Sequence, residues 1–426
     1  MASSQNIDLQ SAEMTEAAQS CFDFPLRALL YSHDSAGLGH LRRNLAIASE
    51  ISSTFPNSSI MIVTGSPCAT QFKLPANTDL IKIPTVSKDK RGRYATRFFS
   101  GNLQDTIQFR SQLILNTFQR FKPNIVIVDH QLTGLMGEAL EMLREAKKTG
   151  VQTIYGCRDV KDSPEVIHKM WNTDEHRWAL NEGYDRVCIY GMPEVFDPRI
   201  AYAPCFDKVK RLDFTGYIVP PVKTFVPDCI PRQRKKVLVT FGGGNDGALR
   251  AKRYLQALTI AQAPWDSHII TGPLMENSVK HRIKGQAAKL QPIGSIKIQR
   301  FNHNIPLLMQ QVDAIVSMAG YNTCVEILQS SLPAVLLPRS FPRQEQLIRA
   351  KRMAELGWVN VITDADPNPR TLFNAVESAL SLPRQTKPEV RLNGLSNLSK
   401  IILEQLQTAG LVENMTQLEQ SNRKVM

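Results

Sequence analysis

Residues 313–357, DAIVSMAGYNTCVEILQSSLPAVLLPRSFPRQEQLIRAKRMAELG, decide the fold. Ala314 to Met318 is a short apolar run that reads as a buried strand. Ala319 to Thr323 breaks the run around Gly320, and Cys324 to Ser330 then follows with helical periodicity. Pro333 to Leu337 is a second apolar run, and the loop from Pro338 to Arg343 leads into a helix from Glu345 onward. Strand, glycine-bearing turn, helix, strand, loop, helix is one parallel βαβα unit. Such units bind ligands at the carboxyl ends of their strands. There the helix N-termini offer free N–H groups and the positive end of a dipole to phosphate. Glu326, one turn into the first helix, can accept two hydrogen bonds from a ribose diol, and Glu345 with Gln346 can hold sugar hydroxyls. Thr323-x-x-Glu326 is also spaced as a capping box; the two roles of Glu326 are compatible.

Working backwards, Lys236 to Phe241 reads as a strand, followed by Gly242, Gly243, Gly244 and Asn245 and then a helix. Successive glycines let backbone N–H groups close on a diphosphate without Cβ obstruction. The Lys-Ser/Thr of a Walker loop does not follow them. His268 to Pro273 and Ser295 to Phe301 are further strands, the latter entering a turn and an N-capped helix. Leu395 to Leu411 forms a last helix. Upstream, Asp213 to Lys236 carries Pro220, Pro221, Pro227 and Pro231 and reads as a stiff linker.

The first half opens with a strand, Arg27 to His33, and a loop ending in Gly37-Leu38-Gly39-His40 before a helix from Leu41 to Ile51. A dinucleotide fingerprint would need a third glycine where Arg42 stands. It would also need an acid where the next strand, Ile60 to Val63, runs into Thr64-Gly65. The nicotinamide reading is therefore disfavoured. His40, at a loop–helix junction, can take a proton from an acceptor hydroxyl or merely cap and pack. Asp129 closes the apolar strand from Pro123 to His130 and is a second candidate base, or an orienter of the next turn. Arg158, ending the strand that begins at Val151, can meet a phosphate or carboxylate, or pair structurally with Asp159. The basic, aromatic segment from Lys88 to Phe99 reads as a solvated loop, or as an acceptor-side surface for an anionic lipid or phosphate.

Composition sets the frame. A chain of 426 residues implies two domains. Its 42% hydrophobic and 21% charged content describes a globular protein. The polar first twenty residues lack a signal-peptide core, and no apolar run is long enough to span a bilayer. Seven cysteines lie singly, without a C-x-x-C pair, which fits a reducing cytoplasm and gives no zinc signature. The net charge of +12 suits anionic partners, but no nucleic-acid motif accompanies it.

Gly320-Tyr321-Asn322-Thr323-x-x-Glu326, the run from Leu332 to Arg339, and Glu345-Gln346-x-x-Arg349-Ala350 together resemble the C-terminal domain of family 28 glycosyltransferases. Gly39-His40 resembles, more thinly, the glycine-rich N-terminal loop of that family. The resemblance implies an α/β GT-B architecture, two Rossmann-like domains with parallel sheets facing across a cleft. The expected division is a tail at 1–24, an acceptor-binding domain at 25–218, a linker at 219–235, a nucleotide-sugar-binding domain at 236–412, and a frayed end at 413–426. It implies inverting, metal-independent transfer of a hexose or N-acetylhexosamine from a nucleoside-diphosphate sugar, a UDP-sugar, to a hydroxyl acceptor, lipid-linked or small. His40 or Asp129 would be the base. Gly243, Gly244, Asn245, Phe301, Gly320, Asn322, Thr323, Glu326, Glu345 and Gln346 would bind the donor, and Gly37, Gly39, Arg42 and Arg158 would face the acceptor. The sugar nucleotide is a co-substrate, and no cofactor or metal is implied. A cytoplasmic location with peripheral contact to an anionic membrane follows, without nucleic acid. The rival readings are a nucleotide-sugar epimerase or hydrolase of the same fold, and a sugar-nucleotide-binding protein without catalysis.

Overall fold

The computed structural model describes residues 24–33, 39–88, 93–220, 233–244, 247–260, 262–290, 294–302, 304–364 and 366–412. The first half contains β1 (Arg27–Ser32), β2 (Ser59–Thr64), β3 (Thr78–Lys82), β4 (Val86–Lys88), β5 (Tyr94–Thr96), β6 (Ile125–Asp129), β7 (Gln152–Arg158), β8 (Arg186–Tyr190) and β9 (Leu212–Phe214). The second contains β10 (Lys236–Thr240), β11 (Asp266–Ile270), β12 (Ile296–Gln299), β13 (Ala314–Ser317), β14 (Ala334–Leu336) and β15 (Asn360–Val361). Two parallel sheets result, ordered β3-β2-β1-β6-β7-β8-β9 and β12-β11-β10-β13-β14-β15. Each is doubly wound. Strand order reverses between β1 and β6 in one sheet and between β10 and β13 in the other, the kind of switch point at which such sheets bind ligands.

Alternation along β1 explains its central place. Ala28 and Leu30 face one core while Leu29 and Tyr31 face another, so helices cover both sides of the sheet. The core containing Ala28 and Leu30 continues into the second half through Leu238, Ile315 and Tyr321. The last helix, Gly394–Thr408, crosses back and packs on the first helix, Gly39–Thr54. It is tied there by Arg186 to Glu404 at 2.9 Å and by the Asn397 amide to the Thr215 carbonyl at 2.8 Å.

Three expectations are corrected. The helix Tyr321–Ser330 starts two residues before Thr323, with Gly320 as its N-cap and no side-chain capping bond. Thr323 therefore lies inside the helix, and the capping box does not form. The segment from Lys88 to Phe99 is not simply a loop, because β4 and β5 pair antiparallel around it. Arg158 does not pair with Asp159, whose carboxylate belongs to Arg349. Further elements carry no clear sequence signal, among them the helices Asn277–Lys289 and Pro369–Ser381 and the edge strands β3 and β15. Among the described residues, no helix is long and apolar enough to cross a membrane.

Candidate active site between the two sheets

The carboxyl end of β6 delivers Asp129, and the first turn of the helix Gly39–Thr54 delivers His40 and Arg43, three residues apart and so on one helix face. His40 Nδ1 lies 2.6 Å from Asp129 Oδ2. Arg43 forks onto the same carboxylate, Nε to Oδ1 at 2.9 Å and Nη2 to Oδ2 at 2.7 Å. Burial alone would raise the Asp129 pKa, but Arg43 and His40 hold the carboxyl well below its usual range. An ionised carboxylate can only accept, so Nδ1 of His40 carries the proton and Nε2 keeps its lone pair. His40 and Asp129 are thus one unit. Asp129, saturated by two donors and fully buried, has no free edge for a substrate, whereas the His40 side chain is 16% exposed.

Burial is the largest influence on His40 and lowers its pKa; Asp129 opposes it, while Arg43 and Arg158 add to the lowering. The unprotonated base is therefore present at neutral pH. If it is the catalytic group, the acid limb of kcat/KM should lie below the ordinary imidazole range, falling about tenfold per pH unit. A pH profile with its acid limb above 7 would contradict this.

Two further imidazoles adjoin His40: the His33 ring centroid is 4.8 Å away and that of His130 is 5.0 Å away, stacked at 29°. His130 has φ of +66°, a left-handed conformation unusual for a side-chain-bearing residue. Its N–H is bonded to the Gly156 carbonyl at 2.7 Å, and its own carbonyl accepts from Tyr155 Oη at 2.8 Å and from Lys161 Nζ. Arg158 donates to His130 Nε2 at 2.7 Å. Burial and the nearby cations Arg158 and Arg343 push Lys161 down to about 7, and burial with Arg43 and Arg349 brings Arg158 to about 10.

Across the cleft stands the second sheet. Gly320 follows β13, and a Cβ built on it would meet nothing within 4 Å, so space lies over this helix N-terminus. Gly244 (φ +97°) and Gly272 (φ +92°) are required for a different reason. A Cβ on Gly244 would sit 2.5 Å from the Thr271 carbonyl, and one on Gly272 2.6 Å from Gly243. Those glycines thus let two neighbouring turns pack, beyond whatever a ligand asks of Gly243 and Gly244. Glu326 is buried and meets Arg42 of the first half at 2.7 Å. Burial raises its pKa and Arg42 partly offsets the rise. The Asn322 amide donates to the Gly39 carbonyl at 3.3 Å, also across the cleft. Thr323 is half-buried beside them.

Glu345 is 5% exposed; Oε1 takes a hydrogen bond from Arg339 at 2.7 Å and Oε2 has no partner among the described residues. Burial works to raise its pKa, but Arg339 with Arg158 and Arg349 outweighs it and leaves the group ionised. An ionised, buried carboxylate oxygen calls for a hydrogen-bond donor, and a hydroxyl can supply it. Gln346 accepts from the Arg339 N–H at 3.4 Å. The Phe301 carbonyl is taken by the Gln299 side-chain amide at 2.7 Å. Gly37 and Asn245 lie outside the described residues. Among those described, no group of three His, Cys, Asp or Glu side chains is placed to hold a metal ion.

Sequence reading missed Arg43, His130, Lys161 and the wedge made by Tyr321. That ring lies 5.2 Å from the Arg43 guanidinium and 5.8 Å from that of Arg349, joining the two halves. The signals for Arg43 and His130 were present, in the helical spacing from His40 and in the strand end beside Asp129; nothing local marks the others.

Residues 226–403 match the glycosyltransferase family 28 C-terminal domain. Over 353 residues the chain is 22% identical to the UDP-N-acetylglucosamine–N-acetylmuramyl-(pentapeptide) pyrophosphoryl-undecaprenol N-acetylglucosamine transferase of Levilactobacillus brevis, covering 80% of this chain and 88% of that one. With the enzyme of the same name from Leuconostoc citreum it is 26% identical over 151 residues, 35% of this chain and less than half, 40%, of the relative. The crystal structure of MurG from Acinetobacter baumannii superposes with a TM-score of 0.56 at 14% identity, over 90% of this chain and all of that one. The family and these relatives are glycosyltransferases. The chain accordingly has a two-domain GT-B fold, and its second half is similar to the glycosyltransferase family 28 C-terminal domain.

Proposed function

We propose that the chain transfers a hexose or N-acetylhexosamine from a UDP-sugar to an acceptor hydroxyl with inversion at the anomeric carbon. The observation that carries this reading is the meeting of two unlike sets of groups at one cleft. The first sheet brings a neutral imidazole oriented by a buried carboxylate, and the second brings Gly320 at an open helix N-terminus, Glu326, and the unpartnered Glu345 oxygen. Glu326 takes the ribose diol, and Glu345 with Gln346 takes hydroxyls of the sugar. The diphosphate lies against the helix N-terminus at Gly320 and Asn322 and the turn at Gly243 and Gly244. Backbone donors there stabilise the charge that develops as the leaving group departs. His40 Nε2 accepts the acceptor proton while that oxygen attacks the anomeric carbon. Asp129 keeps His40 in the right tautomer and, being saturated, is no nucleophile; one displacement therefore occurs and configuration inverts.

The test is release of UDP from a panel of UDP-sugars with and without acceptor hydroxyl compounds. Transfer requires release to rise with acceptor, and the product's anomeric configuration to oppose the donor's. Release that ignores the acceptor would point to the hydrolase or epimerase, and tight UDP binding without turnover to a binding protein.

The reading of a membrane face is supported by the first half. Phe98, Phe99 and Phe109 are 67%, 50% and 45% exposed and line one groove with Gly101 and Asn102. Lys82 and Arg97 lie over the Phe98 ring at 5.8 and 5.4 Å. Exposed aromatics flanked by cations suit the boundary of an anionic bilayer, which would let a lipid-linked acceptor reach the cleft. Phe98→Ser/Phe99→Ser is expected to abolish sedimentation with vesicles containing phosphatidylglycerol while leaving UDP affinity unchanged. Equal sedimentation of variant and parent would remove this face from the account.

A further inference from the structure

Arg42 occupies the acid that the nucleotide needs. Its Nη2 lies 2.7 Å from Glu326 Oε1, with the carboxylate side chain 5% exposed and the arginine 27% exposed. The two come from opposite halves of the chain, Arg42 two residues after the base on the first helix and Glu326 on the helix behind β13. A second contact closes the same place, the Asn322 amide on the Gly39 carbonyl. The approach is tight enough that a Cβ on Gly39 would stand 3.2 Å from that amide nitrogen. A ribose diol that donates to both oxygens of Glu326 competes with Arg42 at Oε1.

The geometry points to Arg42 as an autoinhibitory latch: it holds the nucleotide acid, and the donor binds by displacing it. This rests on the reading of Glu326 as the ribose group given above. The latch has a physical rationale, since Glu326 is buried and a lone buried carboxylate is costly. Arg42 satisfies it until the diol does. The consequence is opposite in sign to that of an ordinary binding arginine. A ligand whose competent state is only partly populated binds more weakly by that fraction, so releasing the latch tightens binding.

The experiment titrates UDP by calorimetry into the full chain, Arg42→Met, Glu326→Gln and the double variant. Arg42→Met keeps most of the apolar stem and removes the guanidinium. The expected result is a Kd for UDP about fivefold lower in Arg42→Met than in the parent. Glu326→Gln should weaken binding, and adding Arg42→Met to it should change nothing more. Binding lost in Glu326→Gln yet unchanged or weaker in Arg42→Met overturns the latch alone. UDP binding that ignores Glu326→Gln overturns the latch together with the assignment of the ribose site. A parent that binds no UDP while Arg42→Met binds it is the latch at its strongest; no binding in any of the four overturns both readings.

Discussion

Replacing His40 with alanine is expected to lower kcat by about 10²- to 10⁴-fold, the range lost when a positioned general base is removed, with UDP affinity within about twofold of the parent. The split matters because His40 lies on the first sheet's side and, on this account, touches the acceptor and not the nucleotide. Its Nδ1 is committed to Asp129 at 2.6 Å, and a glutamine there could mimic the hydrogen bond without the basic nitrogen. His40→Gln should therefore fold normally and be as inactive as His40→Ala. Steady-state kinetics with saturating donor, alongside UDP titration, check both. A fall in UDP affinity that matched the fall in rate would mean that His40 serves the donor.

The second large effect concerns the seam. Arg349 binds Asp159 through two bonds, Nε to Oδ2 at 2.8 Å and Nη2 to Oδ1 at 2.6 Å, with the side chains 1% and 0% exposed. Arg349 also donates to the Ala319 carbonyl at 2.9 Å, just before the open helix N-terminus at Gly320. Removing one partner of a buried ion pair strands the other, at a cost of about 3–5 kcal/mol. Arg349→Met and Asp159→Asn should each lower the denaturation midpoint strongly, and the double variant should lose less than the two losses added. Strict additivity would mean that the pair contributes nothing as a pair. Because Arg349 spans from the second half to the loop after β7, loss of the pair should also loosen the cleft, read as faster amide exchange at 319–322.

These two effects show how unevenly the molecule can be read from its sequence. The βαβα unit at 313–357 was legible because a buried parallel strand needs a continuous apolar run, and Gly320 and the Leu-Pro-Ala run mark the turns between elements. Short edge strands such as β15, two residues long, carry no such pattern. His40 and Asp129 were legible singly, as a polar residue at a helix start and another at a strand end. Their union was not, since 89 residues separate them and only the β1–β6 pairing brings them together. Spacing suggested that Thr323 caps its helix, yet the open N-terminus at Gly320 begins the helix two residues earlier. Neighbours in sequence suggested Arg158 with Asp159, yet successive residues at a strand end point apart, and Asp159 met Arg349 from the other half. Arg42, expected on the acceptor side, reaches Glu326 of the second half. Pairings across the seam depend on how two sheets face each other, which local sequence does not encode.

The central claim is that the second half binds a nucleoside diphosphate through Glu326. Thermal stability of the full chain with UDP, GDP, TDP, ADP or NAD tests it most directly, because a ligand that binds only the folded state raises the melting temperature. The account predicts a rise with UDP that exceeds the others and is lost in Glu326→Ala. No rise with any diphosphate, or a rise with NAD alone, would contradict it.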